Sequence, residues 1–531
     1  MVERGGEGDY ATGRTLEEFC VAEGAGVPRI RWNSEVWRLP LQVSRQRLVE
    51  GMMLMVRRLM LVLVLLTGAV CDRAAGAAEN RPMNLLVIET DEHHFGTLGC
   101  YGGEIVGTPN IDSIAAGGAL CRRFYAVTPV CSPSRASLVS GLYPQKTPVV
   151  ANNIPLDDSV VTFAEVLRRR GYATGFAGKW HLDGAGKPQW APKRKFGFED
   201  NRFMFNRGHW KKLIDTPEGP AVGSRNKNGQ PNYGLEGADE TSFTTDWLAN
   251  KTIDFIEKNK DRPFCYMVSI PDPHGPNTVR PPYDTMYADV KVPIPVTLKR
   301  RQEQIPGWGR PAGVTAAQLR RLMPPYWGMV KCIDDNVGRI LATLRKHELL
   351  DKTVVVFTSD HGDLCGEHGR LNKGVPYEGS ARIPMLVRCP GKIKPGTKID
   401  EALTTVDFLP TVLALLDVPL EHHVDGRDAS ALLTGSARQW DDVAFLRSTP
   451  GGVWLGAVTG RYKLIYSAAD EPWLIDMQED PTEVVNLFDQ AEHRDRIRTL
   501  TARLLEYCKT HNDPYARLPK IQESMTAVLG R

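Results

Sequence analysis

The chain has 531 residues, 42% of them hydrophobic and 24% charged, with a formal net charge of +3. That length is too great for one small core and predicts a large α/β domain with a smaller companion, while the near-balanced charge excludes a strongly basic nucleic-acid-binding protein. Ten cysteines without a Cys-x-x-Cys pair exclude a dense disulfide framework and predict at most a disulfide or two.

Residues 55–77 carry Arg57 and Arg58, a short apolar run and the small residues Ala75-Gly76-Ala77. The apolar run falls short of the ~20 residues that span a bilayer, so the segment reads as a secretory signal peptide. Its internal position predicts a true start at Met52, Met53 or Met55, with residues 1–51 a gene-model extension and 52–78 the signal peptide. An uncleaved anchor, or a lipid-modified Cys71, is the alternative. The expected product is exported, periplasmic or extracellular, with a main domain over 79–435 and a smaller one over 436–531.

Asn84 to Glu92 is an almost unbroken apolar run closing on Asp91 and Glu92, the pattern of a buried parallel strand. Open α/β sheets place their sites at the C-terminal edge, so the two acids read as candidate metal ligands, with solvated loop acids as the plain alternative. A glycine-rich loop follows from Phe95 to Gly103, and Thr108 to Ala115 opens a helix with Asn110 as its N-cap. Val130 to Ser137 then presents a small nucleophile, Cys131, just ahead of Pro133, with Arg135 four residues on and a stop at Ser140-Gly141. Pro133 suits a first helical turn, and the positive end of that helix favours an anion near position 131. The pattern reads as a reactive group for an anionic substrate, or equally as a core cysteine beside a solvated arginine.

Val161 to Gly171 has helical spacing and leads through a short strand, 172–177, to Lys179 and His181, which would project to one side of an extended chain. Residues 201–245 and 275–325 lack periodicity and read as loops at the rim of a pocket or as plain insertions. Between them, Pro263 to Ile270 predicts a second buried strand, with His274 at its end. A helix over 326–347 buries Met329, Ile333, Val337 and Ile340. Thr353 to Ser359 is a third buried strand and delivers Asp360 and His361 where Asp91 and Glu92 emerge. Oxygen-rich ligation with one imidazole fits a hard divalent cation. Thr404 to Leu416 reads as a helix closing the large domain. Short alternating runs at 443–446, 453–458, 462–466 and 473–476, then a helix over 491–509, predict a small antiparallel sheet with one packed helix.

Cys131-Ser132-Pro133-Ser134-Arg135 followed by Leu138-Val139-Ser140-Gly141-Leu142-Tyr143-Pro144 resembles the signature of the type I, formylglycine-dependent sulfatases, bacterial arylsulfatase-like members of the alkaline phosphatase superfamily. Gly178 to His181, Pro273 to Pro276, Asp360 to Gly362, Lys373 and Trp473 to Leu487 match the family pattern in order, so the similarity runs from Asn84 to Leu487. It implies an alkaline-phosphatase-like α/β sandwich, a large central mixed sheet between helices with a small C-terminal α+β subdomain. It also implies hydrolysis of a sulfate ester, with Cys131 oxidised by a formylglycine-generating enzyme to the aldehyde whose hydrate is the nucleophile. Calcium, or magnesium, would be held by Asp91, Glu92, Asp360, His361 and residue 131. Arg135 would stabilise the nucleophile, His181 act as base, Lys179 and Lys373 neutralise the sulfuryl oxygens, and His274 protonate the leaving oxygen. Glu92 stands where the family usually has Asp or Gln, and His361 where many members have Asn. A sulfated small molecule or glycan is the expected partner, with no nucleic acid and no stable membrane partner. The rival readings are a phosphate or phosphonate ester hydrolase on the same fold and a non-catalytic sulfated-glycan-binding homologue.

Overall fold

The computed structural model describes residues 52–60, 81–437 and 439–530. Residues 52–60 are helical and exposed; the extension expected over 1–51 and the remainder of the signal peptide expected over 52–78 lie outside the described residues. Among the described residues, no helix is long and apolar enough to cross a membrane.

The other elements belong to one unit, residues 81–531. Its centre is an eight-stranded sheet made of β1 (Asn84–Asp91), β2 (Ala119–Cys121), β3 (Ala173–Lys179), β4 (Asp200–Phe205), β5 (Phe264–Pro273), β6 (Thr353–Ser359), β7 (Met385–Arg388) and β8 (Thr397–Ile399). The order is β8-β2-β7-β6-β1-β5-β3-β4, with β7 antiparallel to both of its neighbours and the run β6-β1-β5-β3-β4 parallel. Every residue of β1, β5 and β6 is buried, as their apolar runs require of strands covered on both faces. Alternation splits β1 between two cores. Leu86 and Ile88 pack with helix residues such as Ile111, Phe255 and Ile333 on one face, and Leu85 and Val87 with Leu138, Phe163 and Leu409 on the other.

The covering helices on the first face are α1 (Pro109–Ala116), α4 (Thr244–Asn259) and α5 (Ala316–Lys346); on the second they are α2 (Cys131–Ser140), α3 (Phe163–Arg169) and α6 (Phe408–Leu415). Helix α5 begins ten residues earlier than its periodicity predicts, at a Thr315–Gln318 capping box, and runs through Pro324 and Pro325. The carbonyls those prolines leave free belong to Arg320 and Arg321, both exposed, so water can satisfy them. Helix α1 is capped from outside: Asn110 is not its N-cap, because the backbone N–H groups of Asn110 and Ile111 donate to the carboxylate of Asp334 on α5, each at 2.9 Å.

The C-terminal part is an antiparallel meander, β9 (Ala444–Arg447), β10 (Trp454–Val458), β11 (Tyr462–Ser467) and β12 (Trp473–Asp476), packed by α7 (Arg494–Thr510) and by a second helix, α8 (Pro519–Leu529). The single packed helix of the sequence reading is therefore two; α8 buries only Ile521 and Met525, too few apolar residues to set a period. The other side of the meander shares a core with the main part through Tyr125, Tyr377, Trp454 and Trp473. Segment 201–245, expected to be loop, contains the end of β4 and a hairpin over 213–222. The eight described cysteines are all free.

Candidate active site

Parallel pairing in register brings four strand ends to one edge. Thr90 is level with Ser359, Asp91 with Pro273 across a bulge, and Gly178 with Ser269. The residues just beyond, Asp91, Glu92, Asp360, His361, Lys179 and His274, therefore surround one point. Gly178 is required there: its φ is +103°, and a Cβ would lie 1.9 Å from the Ser269 carbonyl oxygen.

Helix α2 aims its N-terminus at that point, and all ten of its residues are buried. Cys131 is its first residue and Pro133 lies in its first turn. No side chain of its own caps it; Ser132 N–H donates instead to Asn152 Oδ1 at 2.9 Å. Cys131 Sγ is 3.1 Å from His361 Nε2. Burial pushes the thiol up, but Lys179 and Lys373 outweigh it and hold Cys131 well below the usual thiol range.

Ligand atoms of Asp91, Cys131, Asp360 and His361, all buried, lie within 4.8 Å of one another. Asp91 Oδ1 is buried and accepts no hydrogen bond among the described residues, although Nε2 of His361 is 3.6 Å away. His361 Nδ1 lies 3.0 Å from the Gly362 carbonyl, to which it can donate, leaving Nε2 directed into the cluster, where it carries a proton unless a cation takes the proton's place. Burial lowers the His361 pKa, but the Asp360 carboxylate prevails and pushes it up to about 9. An orphaned carboxylate oxygen beside an imidazole drawn towards positive charge is a donor set that fits a hard divalent cation.

Glu92 stands apart from these four. With φ of +62°, it turns its carboxylate to His274 Nε2, at 3.0 Å, and Lys373 Nζ, at 3.3 Å. Burial pushes its pKa up to about 8. Its backbone N–H, not its carboxylate, joins the cluster, donating to Asp360 Oδ1 at 3.2 Å.

Arg135 lies beneath the cluster, 2% exposed. Its guanidinium donates to Asp360 Oδ2 at 2.9 Å, Asp91 Oδ2 at 3.2 Å, Ser269 Oγ at 2.6 Å and the Lys179 carbonyl at 3.0 Å, and it pairs with Glu89. It is spent on aligning the carboxylates rather than left free to face a substrate. Glu89, inside β1, was not singled out as a site residue; desolvation raises its pKa to about 7.

Lys179 Nζ donates to Asp91 Oδ2 and, at 2.8 Å, to Nε2 of His209. His181 reaches the site from a left-handed backbone, φ +58°, not by simple strand alternation. Its Nε2 is 3.2 Å from Asn153 Oδ1, and its Nδ1 is buried without a partner among the described residues. Burial holds this ring below its usual pKa against the pull of Cys131. Opposite, His274 Nδ1 lies 3.0 Å from the Gly275 carbonyl and Nε2 lies 2.8 Å from Lys373 Nζ. Burial lowers its pKa to about 3, so the ring is neutral. All ten residues read from the sequence are thus gathered at one edge. His209, Asn152, Asn153, Glu89 and Ser269 join them unpredicted, because their partners are distant in sequence. Glu378 and Arg382 lie 3.5 Å apart in a separate cluster with Arg123 and Lys463.

The family model described as Sulfatase matches residues 83–418, and that described as N-sulphoglucosamine sulphohydrolase, C-terminal, matches 366–510. The chain is 27% identical to an N-acetylglucosamine-6-O-sulfatase of Bacteroides thetaiotaomicron, over 86% of this chain and 91% of the relative. Among solved structures, one in complex with its substrate D-glucosamine-2-N,6-O-disulfate aligns with a TM-score of 0.67 and 24% identity, covering 82% of this chain and 99% of that one. A phosphonate monoester hydrolase of Agrobacterium radiobacter aligns at 0.64 and 24%, covering 81% and 96%. The chain belongs to the sulfatase family of the alkaline phosphatase superfamily and is a sulfuric ester hydrolase.

Proposed function

We propose that the protein is exported and removes sulfate from a sulfated carbohydrate, using formylglycine made from Cys131 by a formylglycine-generating enzyme and a calcium ion held by Asp91, Asp360, His361 and residue 131. The observation that carries this reading is Cys131, at the start of α2, 3.1 Å from His361 in a fully buried cluster flanked by Lys179 and Lys373. When present, the aldehyde supplies the nucleophile and the cation polarises the sulfuryl oxygens.

The chain's own residues do the rest. Lys179 and Lys373 present ammonium groups to the sulfuryl oxygens as charge spreads over them. Arg135 keeps Asp91 and Asp360 aligned from below. His181, with Nδ1 unpartnered beside residue 131, is placed to take a proton there. His274 stands on the leaving-group side with Lys373 and Glu92 both at Nε2; the neutral ring has no Nε2 proton of its own, so the proton that reaches the departing oxygen comes from the Lys373 ammonium or the Glu92 carboxyl, and Nε2 passes it on. Glu92 acts in that proton network rather than as a ligand. A sulfated amino sugar is the substrate class favoured by the relatives' names.

The test compares sulfate release from glucosamine 6-sulfate with hydrolysis of a phosphonate monoester, the phenyl ester of methylphosphonate, by the matured, calcium-loaded protein. Preference for the sulfate ester by about a hundredfold or more is expected; preference for the phosphonate overturns the reading.

A further inference from the structure

His209 enters the site from segment 201–245, a stretch without a motif, yet its position is built rather than incidental. Trp210, next in the chain, is buried, with its indole N–H donating to the Arg207 carbonyl at 3.1 Å. Lys211 is fully buried and donates to Asp272 Oδ1 at 2.5 Å and to the His274 carbonyl at 3.1 Å. The segment is therefore tied to the same strand end that carries His274. From that anchor the His209 ring lies flat on the His274 ring, centroids 3.5 Å apart and planes 8° apart, and its Nε2 is 2.8 Å from Lys179 Nζ.

His209, His274 and Asp91 could be grouped as ligands of a second metal ion. The neighbouring charges argue against it. Nε2 of His209 faces the ammonium of Lys179 and Nε2 of His274 faces that of Lys373, and an ammonium only donates. A divalent cation there would meet two positive charges at close range. An ammonium has three N–H groups: Lys179 directs one to Asp91 and one to His209, which leaves one for a substrate oxygen.

We propose that His209 is a positioning residue that holds Lys179 on the sulfuryl side and His274 on the leaving-group side through a single ring, the first by accepting a hydrogen bond and the second by stacking. The proposal rests on the sulfate-ester reaction proposed above.

The two arms separate by substitution. His209→Phe keeps the stack and loses the acceptor, His209→Gln keeps an acceptor and loses the stack, and His209→Ala loses both. Full-length, matured, calcium-loaded variants with wild-type melting temperatures are assayed on aryl sulfates graded by the pKa of the departing phenol. His209→Phe should lose about tenfold in kcat/KM on every ester, and should bind inorganic sulfate about tenfold more weakly by calorimetry. His209→Gln should keep its rate on nitrophenyl sulfate, lose about tenfold on phenyl sulfate, and bind inorganic sulfate as the wild type does. His209→Ala should show both losses. The proposal is overturned if all three keep the wild-type rates and leaving-group dependence, or if all three lose rate equally on every ester. If the wild type hydrolyses no sulfate ester, the reaction assigned above fails; the sulfate affinities of wild type and His209→Phe still decide the Lys179 arm, and equal affinities overturn it.

Discussion

Arg135 and Glu89 form an ion pair with neither side chain more than 2% exposed, and the same guanidinium spans Asp91 and Asp360. The pair makes Arg135 a fixed base for the two acids. Glu89→Leu leaves a buried guanidinium short of one partner and is expected to cost about 3–5 kcal/mol in urea unfolding, with loss of activity as the acids lose alignment. Glu89→Gln, which still accepts a hydrogen bond, should cost clearly less.

Glu92 and Asp91 are adjacent but face different partners. Chelation with EGTA should abolish activity, and calcium should restore it. Asp91→Asn should weaken calcium binding, measured by calorimetry, by about tenfold or more. Glu92→Gln should bind calcium like the wild type while lowering kcat, because its carboxylate meets His274 and Lys373 rather than the cluster of Asp91, Cys131, Asp360 and His361. Equal loss of calcium affinity in both variants would place Glu92 among the ligands.

Gly178 carries the strand past Ser269 just before Lys179. In Gly178→Ala the new methyl group would sit on the Ser269 carbonyl, at a φ that L residues avoid. A loss of about 2–4 kcal/mol is expected, the sum of overpacking and backbone strain. Thermal and denaturant unfolding measure it.

How much of this was legible in the sequence follows from the range of each interaction. The three central strands were readable as apolar runs, and their order of emergence at one edge follows from parallel pairing. The Cys131 helix was readable from Pro133 and Gly141, the latter a left-handed C-cap with φ of +69°. The tertiary caps were not readable: Asp334 caps α1 from 224 residues away, and Asn152 caps α2 across a loop. Glu89 was hidden in its strand because an acid among apolar residues declares nothing until Arg135 is placed beneath it. His209 lies in a segment without periodicity and acquires meaning only against Lys179 and His274. Glu92 was read as a ligand by adjacency, but its left-handed backbone sends the carboxylate elsewhere.

His368 provides a pH test away from the Asp91–Asp360 cluster. Its ring stacks on Tyr377, 3.5 Å between centroids, and burial, with Arg300 and Lys463 nearby, lowers its pKa to about 2. The unfolded chain takes up a proton near pH 6.5 that the folded chain refuses, so stability falls as pH drops below that value. Between pH 7 and 5.5 the wild type should lose about 1 kcal/mol more than His368→Asn, a residue that tolerates the left-handed φ of +54°. Parallel pH profiles of the two unfolding free energies would contradict this.

The most direct test of the central claim is the mass of the tryptic peptide Phe124–Arg135 from protein that is hydrolysing a sulfate ester. A peptide about 18 daltons lighter than the cysteine form, the change expected when a thiol becomes an aldehyde, is the predicted result. Full activity from protein whose Cys131 is entirely unmodified would contradict it.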